Sequence, residues 1–282
     1  MIPFDFEYYK PETIEEAVQL YAQLNARGKK PLYYGGGTEI ISMARAHNVY
    51  TEAVIDVKGI SECNVQELRN NKLIIGSAVT LTQIAEANLF PLLGLTVQRI
   101  ADHTIQDKIT LGGNIAGTII YREAVLPLLI SNSEVLIAGS SGQKQVLLKD
   151  IFDKRIQLNY GEFIVNVAVD SRFLSLPSLH VKRTKNDKID YPLITLAALK
   201  DNNRINISFS GVCDYPFRSS LIEDYLNDTS LAKDIRINND IRINNAINSI
   251  PDVILNDLAG SASFRKFMLQ KMLAEVLEKL EG

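Results

Sequence analysis

The chain has 282 residues, 46% of them hydrophobic and 22% charged, with 30 Lys and Arg against 33 Asp and Glu for a formal net charge of −3. That mixture excludes a disordered polymer, and the absence of basic excess argues against a nucleic-acid partner. The start, MIPFDFEYYKPET, lacks the basic and apolar parts of a secretory leader, and no apolar run approaches the ~20 residues that cross a membrane. Two distant cysteines, Cys63 and Cys213, have no metal-ligand spacing and read as buried, reduced thiols. The expectation is a cytoplasmic globular protein of one large or two medium domains.

Thr13 with Glu16 forms a capping box ahead of Ile14, Ala17, Val18, Tyr21 and Leu24 at helical spacing, and Gly28 stops the run. A strand at 31–34, a helix capped by Thr38 and running through Arg45, and an apolar strand at 53–57 predict a small parallel unit. Next, 65–68 and 73–76 flank Asn70-Asn71 as a hairpin, and Thr80 with Gln83 makes a second capping box. A helical stretch is expected from Pro91 to about His103. The segments 134–138 and 144–148 bracket a second hairpin turn, Ser140-Ser141-Gly142, and 162–169 is one more strand. Successive hairpins predict an antiparallel sheet and therefore an α+β domain.

Residues 170–177 read as a boundary. Strands at 179–183, 197–200 and 204–211, followed mostly by helix, predict a second domain of small sheet plus helices. Its last helix, 263–280, places Phe267, Leu269, Leu273, Val276, Leu277 and Leu280 at its apolar positions. A direct repeat, DIRINN at 234–239 and again at 240–245, shifts a helix by roughly 240° of rotation. At least one copy is therefore expected as loop or frayed helix.

The three histidines, His47, His103 and His180, have no paired spacing and no acidic partner close in sequence, and no nucleophile or metal motif occurs. No catalytic or metal-ligating residue is expected. Five of the sixteen glycines, however, fall in two clusters: Gly35, Gly36 and Gly37 after a strand, and Gly112 and Gly113 between Thr110-Leu111 and Asn114. Consecutive glycines let backbone amides face an anion without Cβ obstruction, and a following helix adds its dipole. Two such loops could grip the two phosphates of a dinucleotide; two plain tight turns are an equally open reading.

The ordered runs 34–40 (YGGGTEI), a strand ending in Asp56, 74–80 (IIGSAVT), 110–116 (TLGGNIA), Pro216-Phe217-Arg218 with Glu223, and 257–265 (DLAGSASFR) span nearly the whole chain. Together they resemble the FAD-binding (medium) subunit of the xanthine dehydrogenase and carbon monoxide dehydrogenase family of molybdenum hydroxylases. The resemblance implies a vanillyl-alcohol-oxidase-type FAD-binding domain at 1–171, with a small parallel part at about 1–58 and an antiparallel part at 59–171. A C-terminal domain like that of the carbon monoxide dehydrogenase flavoprotein, 177–282, would follow.

It also implies roles. Tyr33, Tyr34, Gly35, Gly36, Gly37, Thr38, Glu39 and Ile40 would form the first loop around the FAD diphosphate, and Thr110, Leu111, Gly112, Gly113 and Asn114 the second. Ile100 and Ile164 would pack near the flavin, Lys182 near its ring system, and Glu123 would be an acidic contact. The chain departs from the family at Gln106-Asp107, where relatives carry Arg-Asn, and its two cysteines exclude the iron–sulfur insertion of one branch. The implied function is electron transfer from a [2Fe-2S] small subunit, served by a molybdopterin-binding large subunit, through FAD to an acceptor such as NAD. Alternatives are a cofactor-free assembly subunit of the same complex and a free-standing flavin oxidoreductase.

Overall fold

The computed structural model describes residues 2–186, 190–230 and 234–281. In chain order its elements are β1 (Glu7–Tyr9), α1 (Ile14–Ala26), β2 (Pro31–Tyr34), α2 (Thr38–Arg45), β3 (Ala53–Asp56), β4 (Gln66–Arg69), β5 (Lys72–Gly76), α3 (Leu81–Ala87), α4 (Pro91–Val97), α5 (His103–Gln106), α6 (Leu111–Ala116) and α7 (Val125–Ile130). They continue with β6 (Glu134–Gly139), β7 (Gly142–Leu147), α8 (Leu148–Ile151), β8 (Phe152–Asp153), β9 (Arg155–Ile156), β10 (Phe163–Asp170), β11 (Ser178–Thr184), β12 (Pro192–Asp201), β13 (Arg204–Ser210), β14 (Phe217–Arg218), α9 (Ser220–Asn227), α10 (Ile235–Asn248) and α11 (Ala262–Glu281). Two compact units are interleaved along the chain. The first comprises Met1–Leu89, Asp102–Ile119 and Asn132–Ser171, and the second Phe90–Ala101, Ile120–Ser131 and Arg172–Gly282.

In the first unit, β2 runs parallel to β3, and β1 adds a parallel strand on the other side of β3. β1 has only three residues, too short for a readable alternation. Thr13 Oγ1 accepts from the Glu16 amide (3.1 Å), but the Glu16 carboxylate reaches one residue further back than a capping box requires, to the Glu12 amide (2.9 Å). Gly28, at φ 76°, ends α1 with the Lys29 amide bonded to Leu24 O. One face of α1 (Ile14, Ala17, Leu24) shares a core with Ala53 and Ile55 of β3 and Phe163 and Val165 of β10. The second sheet is antiparallel in the order β4-β5-β10-β6-β7. Its first hairpin turns on Asn70 (φ 53°) and Asn71 (φ 59°), the two left-handed positions such a turn demands. The Thr80–Gln83 capping box is complete.

The second unit holds the antiparallel sheet β11-β12-β13-β14 with helices packed on it. Its core joins Leu196, Ile207 and Phe209 of the strands to Met272, Leu273 and Val276 of α11. Two pairs that carried the family resemblance are pins of this unit. Arg218 donates Nε to Glu223 Oε1 (2.7 Å) and Nη1 to Leu129 O (2.9 Å), and fully buried Arg265 donates to Asp257 Oδ1 (2.6 Å) and Gly211 O (2.7 Å).

Three expectations are corrected. The helix begun at Pro91 ends at Val97, where the amides of Arg99 and Ile100 turn back to Thr96 O and Val97 O in tighter bonds; Ala101 at φ 55° then breaks the chain from α5, which starts afresh behind its own cap, Asp102. Phe267 is 51% exposed, and the fully buried Met272 fills the core side of α11. Both DIRINN copies belong to α10, the first from the N-cap Asp234 onward. The rotation still shows: Ile237 is 55% exposed while its duplicate Ile243 is buried, and Arg236 is exposed while Arg242 is buried on Leu226 O and Glu281. The helix accommodates the repeat by burying a different side of each copy.

Candidate functional site

β2 sends successive side chains to opposite faces. Tyr33 stacks on Tyr21 (5.1 Å between centroids), packs on Phe163 (4.5 Å) and donates to Gly161 O (3.1 Å). Burial, then the nearby Tyr21, pushes its phenol well above the ordinary range, and the ring is partly buried against the core of α1 and β10. Tyr34 lies on the other side, with Lys58 Nζ 4.7 Å from its ring centroid.

The chain then turns through its three glycines. A Cβ on Gly36 would lie 1.5 Å from Lys108 O, and one on Gly35 2.6 Å from Thr110 Oγ1. The turn therefore rests backbone against backbone on the segment that opens the second cluster, an approach only glycine permits. Gly37, at φ 71°, is the N-cap of α2, so Thr38 is the first helical residue and not the cap expected from sequence. No side chain caps this end. Among the described residues, the amides of Gly36, Gly37, Thr38 and Glu39 take no protein acceptor. Bare N–H groups at the positive end of a helix, in a turn too close-packed for a Cβ, fit a diphosphate. Glu39 faces elsewhere: its carboxylate accepts from the Thr118 amide (2.6 Å) and hydroxyl (2.5 Å). Ile40 and Tyr34 line an apolar cleft with Phe4, Tyr8, Ile41 and Val54.

The second cluster is not a loop. Thr110 caps α6 by accepting from Gly113 N (3.2 Å), and the chain continues as helix. The amides of Leu111, Gly112 and Asn114 donate to Val79 O (2.9 Å), Ser77 O (2.8 Å) and Thr110 O (2.9 Å). These donors are satisfied within the fold, so the expected second set of ligand-facing amides is not formed. Gly112 is glycine for packing, since a Cβ would meet Ser77 Cβ at 2.6 Å. The two clusters do meet, one as a turn with bare donors and the other as the wall behind it. Leu111 is fully buried, Asn114 nearly so, and Ile164 is buried in β10 beside Ile137.

Three expected residues belong to the second unit. Ile100 is half-buried after α4, its amide on Val97 O (3.1 Å). Glu123 and Lys182 are both buried and paired: Lys182 Nζ donates to Glu123 Oε2 (3.1 Å) and Arg99 O (2.5 Å), while Thr195 Oγ1 donates to Glu123 Oε1 (2.6 Å). Burial holds the Glu123 carboxyl above its ordinary range, with Lys182 and Thr195 pulling the other way. Thr195 gave no sequence signal, because its partner lies 72 residues away. Near this pair His180 is kept neutral, its pKa pulled from 6.5 to about 3 by burial and then by Arg99 and Lys182.

Among the described residues no group of three or more His, Cys, Asp or Glu side chains is placed to hold a metal, and no helix is long and apolar enough to cross a membrane. A turn of bare amides at the N-terminus of a helix is the arrangement of an anion-binding protein. The profile of the FAD binding domain in molybdopterin dehydrogenase matches residues 4–170, and the chain belongs to that family, whose cofactor is FAD. It is 22% identical to the nicotinate dehydrogenase FAD-subunit of Eubacterium barkeri over 99% of this chain and 98% of that one. It is 33% identical to the carbon monoxide dehydrogenase medium chain of Hydrogenophaga pseudoflava over 41% of each. Among solved structures, quinoline 2-oxidoreductase from Pseudomonas putida 86 superposes with a TM-score of 0.85 at 19% identity, covering 100% of this chain and 99% of that one, which bears out the α+β fold.

Proposed function

We propose that the protein is the FAD-carrying electron-transfer subunit of a multi-subunit molybdenum hydroxylase. Its proposed partners are a molybdopterin-binding large subunit and a [2Fe-2S] small subunit, with NAD as the outside acceptor. The observation that carries this reading is the glycine turn before α2, whose bare amides lie in a chain of the FAD-binding family. When bound, FAD supplies the redox chemistry, accepting reducing equivalents from an iron–sulfur centre and releasing them to a two-electron acceptor. The chain itself binds and orients, which is why no catalytic side chain is needed.

In this reading the amides of Gly36, Gly37, Thr38 and Glu39 and the positive end of α2 hold the diphosphate. Gly35 and Gly36 keep the turn pressed on residues 108–110, and Thr110, Leu111, Gly112 and Gly113 fix that wall. Asn114, Ile164, Ile100, Glu123 and Lys182 are proposed as further cofactor contacts by family resemblance, with Arg99 O and Glu123, itself bonded by Thr195, holding the Lys182 ammonium in place. The proposed modules are 1–171, with parts at about 1–58 and 59–171, and 177–282.

Purification of the full chain, flavin absorbance and chromatography of the released cofactor test the reading. A colourless protein that FAD cannot reconstitute refutes it. Co-purification with molybdenum and iron–sulfur subunits, and substrate-dependent formation of NADH by that complex, test the partners and the acceptor.

A further inference from the structure

Three consecutive glycines allow a close approach but leave the turn's own geometry weakly determined. The Gly35–Gly36 peptide is trans and planar, so its carbonyl and its N–H point in opposite directions. With glycine on both sides, little steric cost opposes rotating that plane. Rotated, it would present a carbonyl oxygen to an anion in place of the Gly36 N–H.

One side chain holds the plane. Lys58 Nζ donates to Gly35 O (2.6 Å) and to Asp56 Oδ1 (2.8 Å), and lies 4.7 Å from the Tyr34 ring centroid. The Lys58 amide donates to the same Asp56 oxygen (2.9 Å), which ties the lysine backbone to the end of β3. Asp56 is buried, and its other oxygen accepts from Tyr8 Oη (2.5 Å) on β1. The hydrogen bond to the Asp56 carboxylate pushes the Tyr8 phenol up to about 12, so it stays a donor at neutral pH. A fixed relay thus runs from two paired strands to the carbonyl of the first glycine.

We propose that Lys58, held by the Tyr8–Asp56 pair, is the positioning residue that keeps the Gly35–Gly36 peptide turned with its N–H toward the FAD diphosphate. The inference rests on the reading that this turn holds the diphosphate. An ammonium on the Gly35 carbonyl also polarises the peptide and strengthens the Gly36 N–H as a donor. With its side chain 38% exposed, Lys58 adds positive charge beside an anionic ligand.

The test uses the full chain, stripped of flavin and titrated with FAD by flavin fluorescence, as wild type, Lys58→Met, Lys58→Arg and Asp56→Asn. Thermal melting of each apoprotein checks the fold. Lys58→Met is expected to weaken FAD binding on the order of tenfold, the loss of one charge-assisted hydrogen bond. Lys58→Arg recovers most of that loss, Asp56→Asn falls between, and the two Lys58 variants melt together. Wild-type affinity in Lys58→Met, or equal weakening in Lys58→Met and Lys58→Arg, overturns the positioning role. If the wild-type chain itself takes up no FAD, the diphosphate reading of the turn fails, and this inference fails with it.

Discussion

Replacing Gly36 with alanine strikes the contact between the two glycine clusters. The new Cβ would lie 1.5 Å from Lys108 O and 2.6 Å from the Lys108 carbonyl carbon. Non-bonded heavy atoms settle near ~3.5 Å, so the two backbone segments must part by about 2 Å. Because the obstacle is backbone, no side-chain rotation relieves it, and overpacking of this kind costs about 1–3 kcal/mol. For a chain of this size that lowers Tm by roughly 2–10 °C. FAD binding suffers more, since a displaced turn loses its aim. Two amide bonds to a charged group at about 1.5–3 kcal/mol each correspond to at least 100-fold in affinity. The assay is FAD titration of the apoprotein beside its thermal melt. Gly142→Ala is the control: a Cβ there meets nothing within 4 Å, so only the strain of φ 98° is felt, and FAD binding is unchanged. Wild-type FAD affinity in Gly36→Ala would refute the close approach as the reason for that glycine.

Other perturbations address the second unit. Glu123→Ala or Lys182→Ala leaves a buried charge without its partner and is expected to cost about 3–5 kcal/mol in urea unfolding, while the double substitution with methionines costs less than the sum of the two. A single-variant loss below about 1 kcal/mol would contradict the pairing. Between pH 6.5 and about 3 the unfolded chain binds a proton at His180 that the native chain refuses. The His180 contribution is therefore complete above pH 6.5 and is lost on acidification at up to about 1.4 kcal/mol per pH unit. His180→Phe should flatten that part of the stability–pH curve, and an unchanged slope counts against a neutral buried imidazole. Arg265→Met removes the guanidinium shared by Asp257 and Gly211 O and is expected to destabilise by about 3–5 kcal/mol in the same assay; a loss within about 0.5 kcal/mol would mean that the Asp257–Gly260 turn holds itself.

What was legible in the sequence is what local chemistry dictates. The hairpin at Asn70-Asn71, the box at Thr80–Gln83 and the stop at Gly28 depend on a few adjacent residues, and each stands as read. The failures depend on distant partners. Thr38 lost the cap to Gly37 because the turn must fit against residues 108–110, and the amides after Thr110 are spent on Ser77 and Val79, more than thirty residues upstream. In α10 the periodicity of the repeat does not reveal that a helix can keep both copies by burying Asn238 and Arg242 beside Ile243, Ala246 and Ile247. Lys58 was invisible for the same reason: a lysine two residues after an aspartate is ordinary until β1 and the glycine turn close around it.

The interleaving of the units bears on how the chain is made. When synthesis reaches Ser171 the first unit is complete, but Phe90–Ala101 and Ile120–Ser131 still await the second. Every residue of α7 is buried once folded, against strands β12 and β13 that have not yet been made. At about 5–20 residues per second, that apolar segment stays uncovered for several seconds on every ribosome. A fragment ending near residue 170 never covers it, and is expected to aggregate or to remain bound to chaperones.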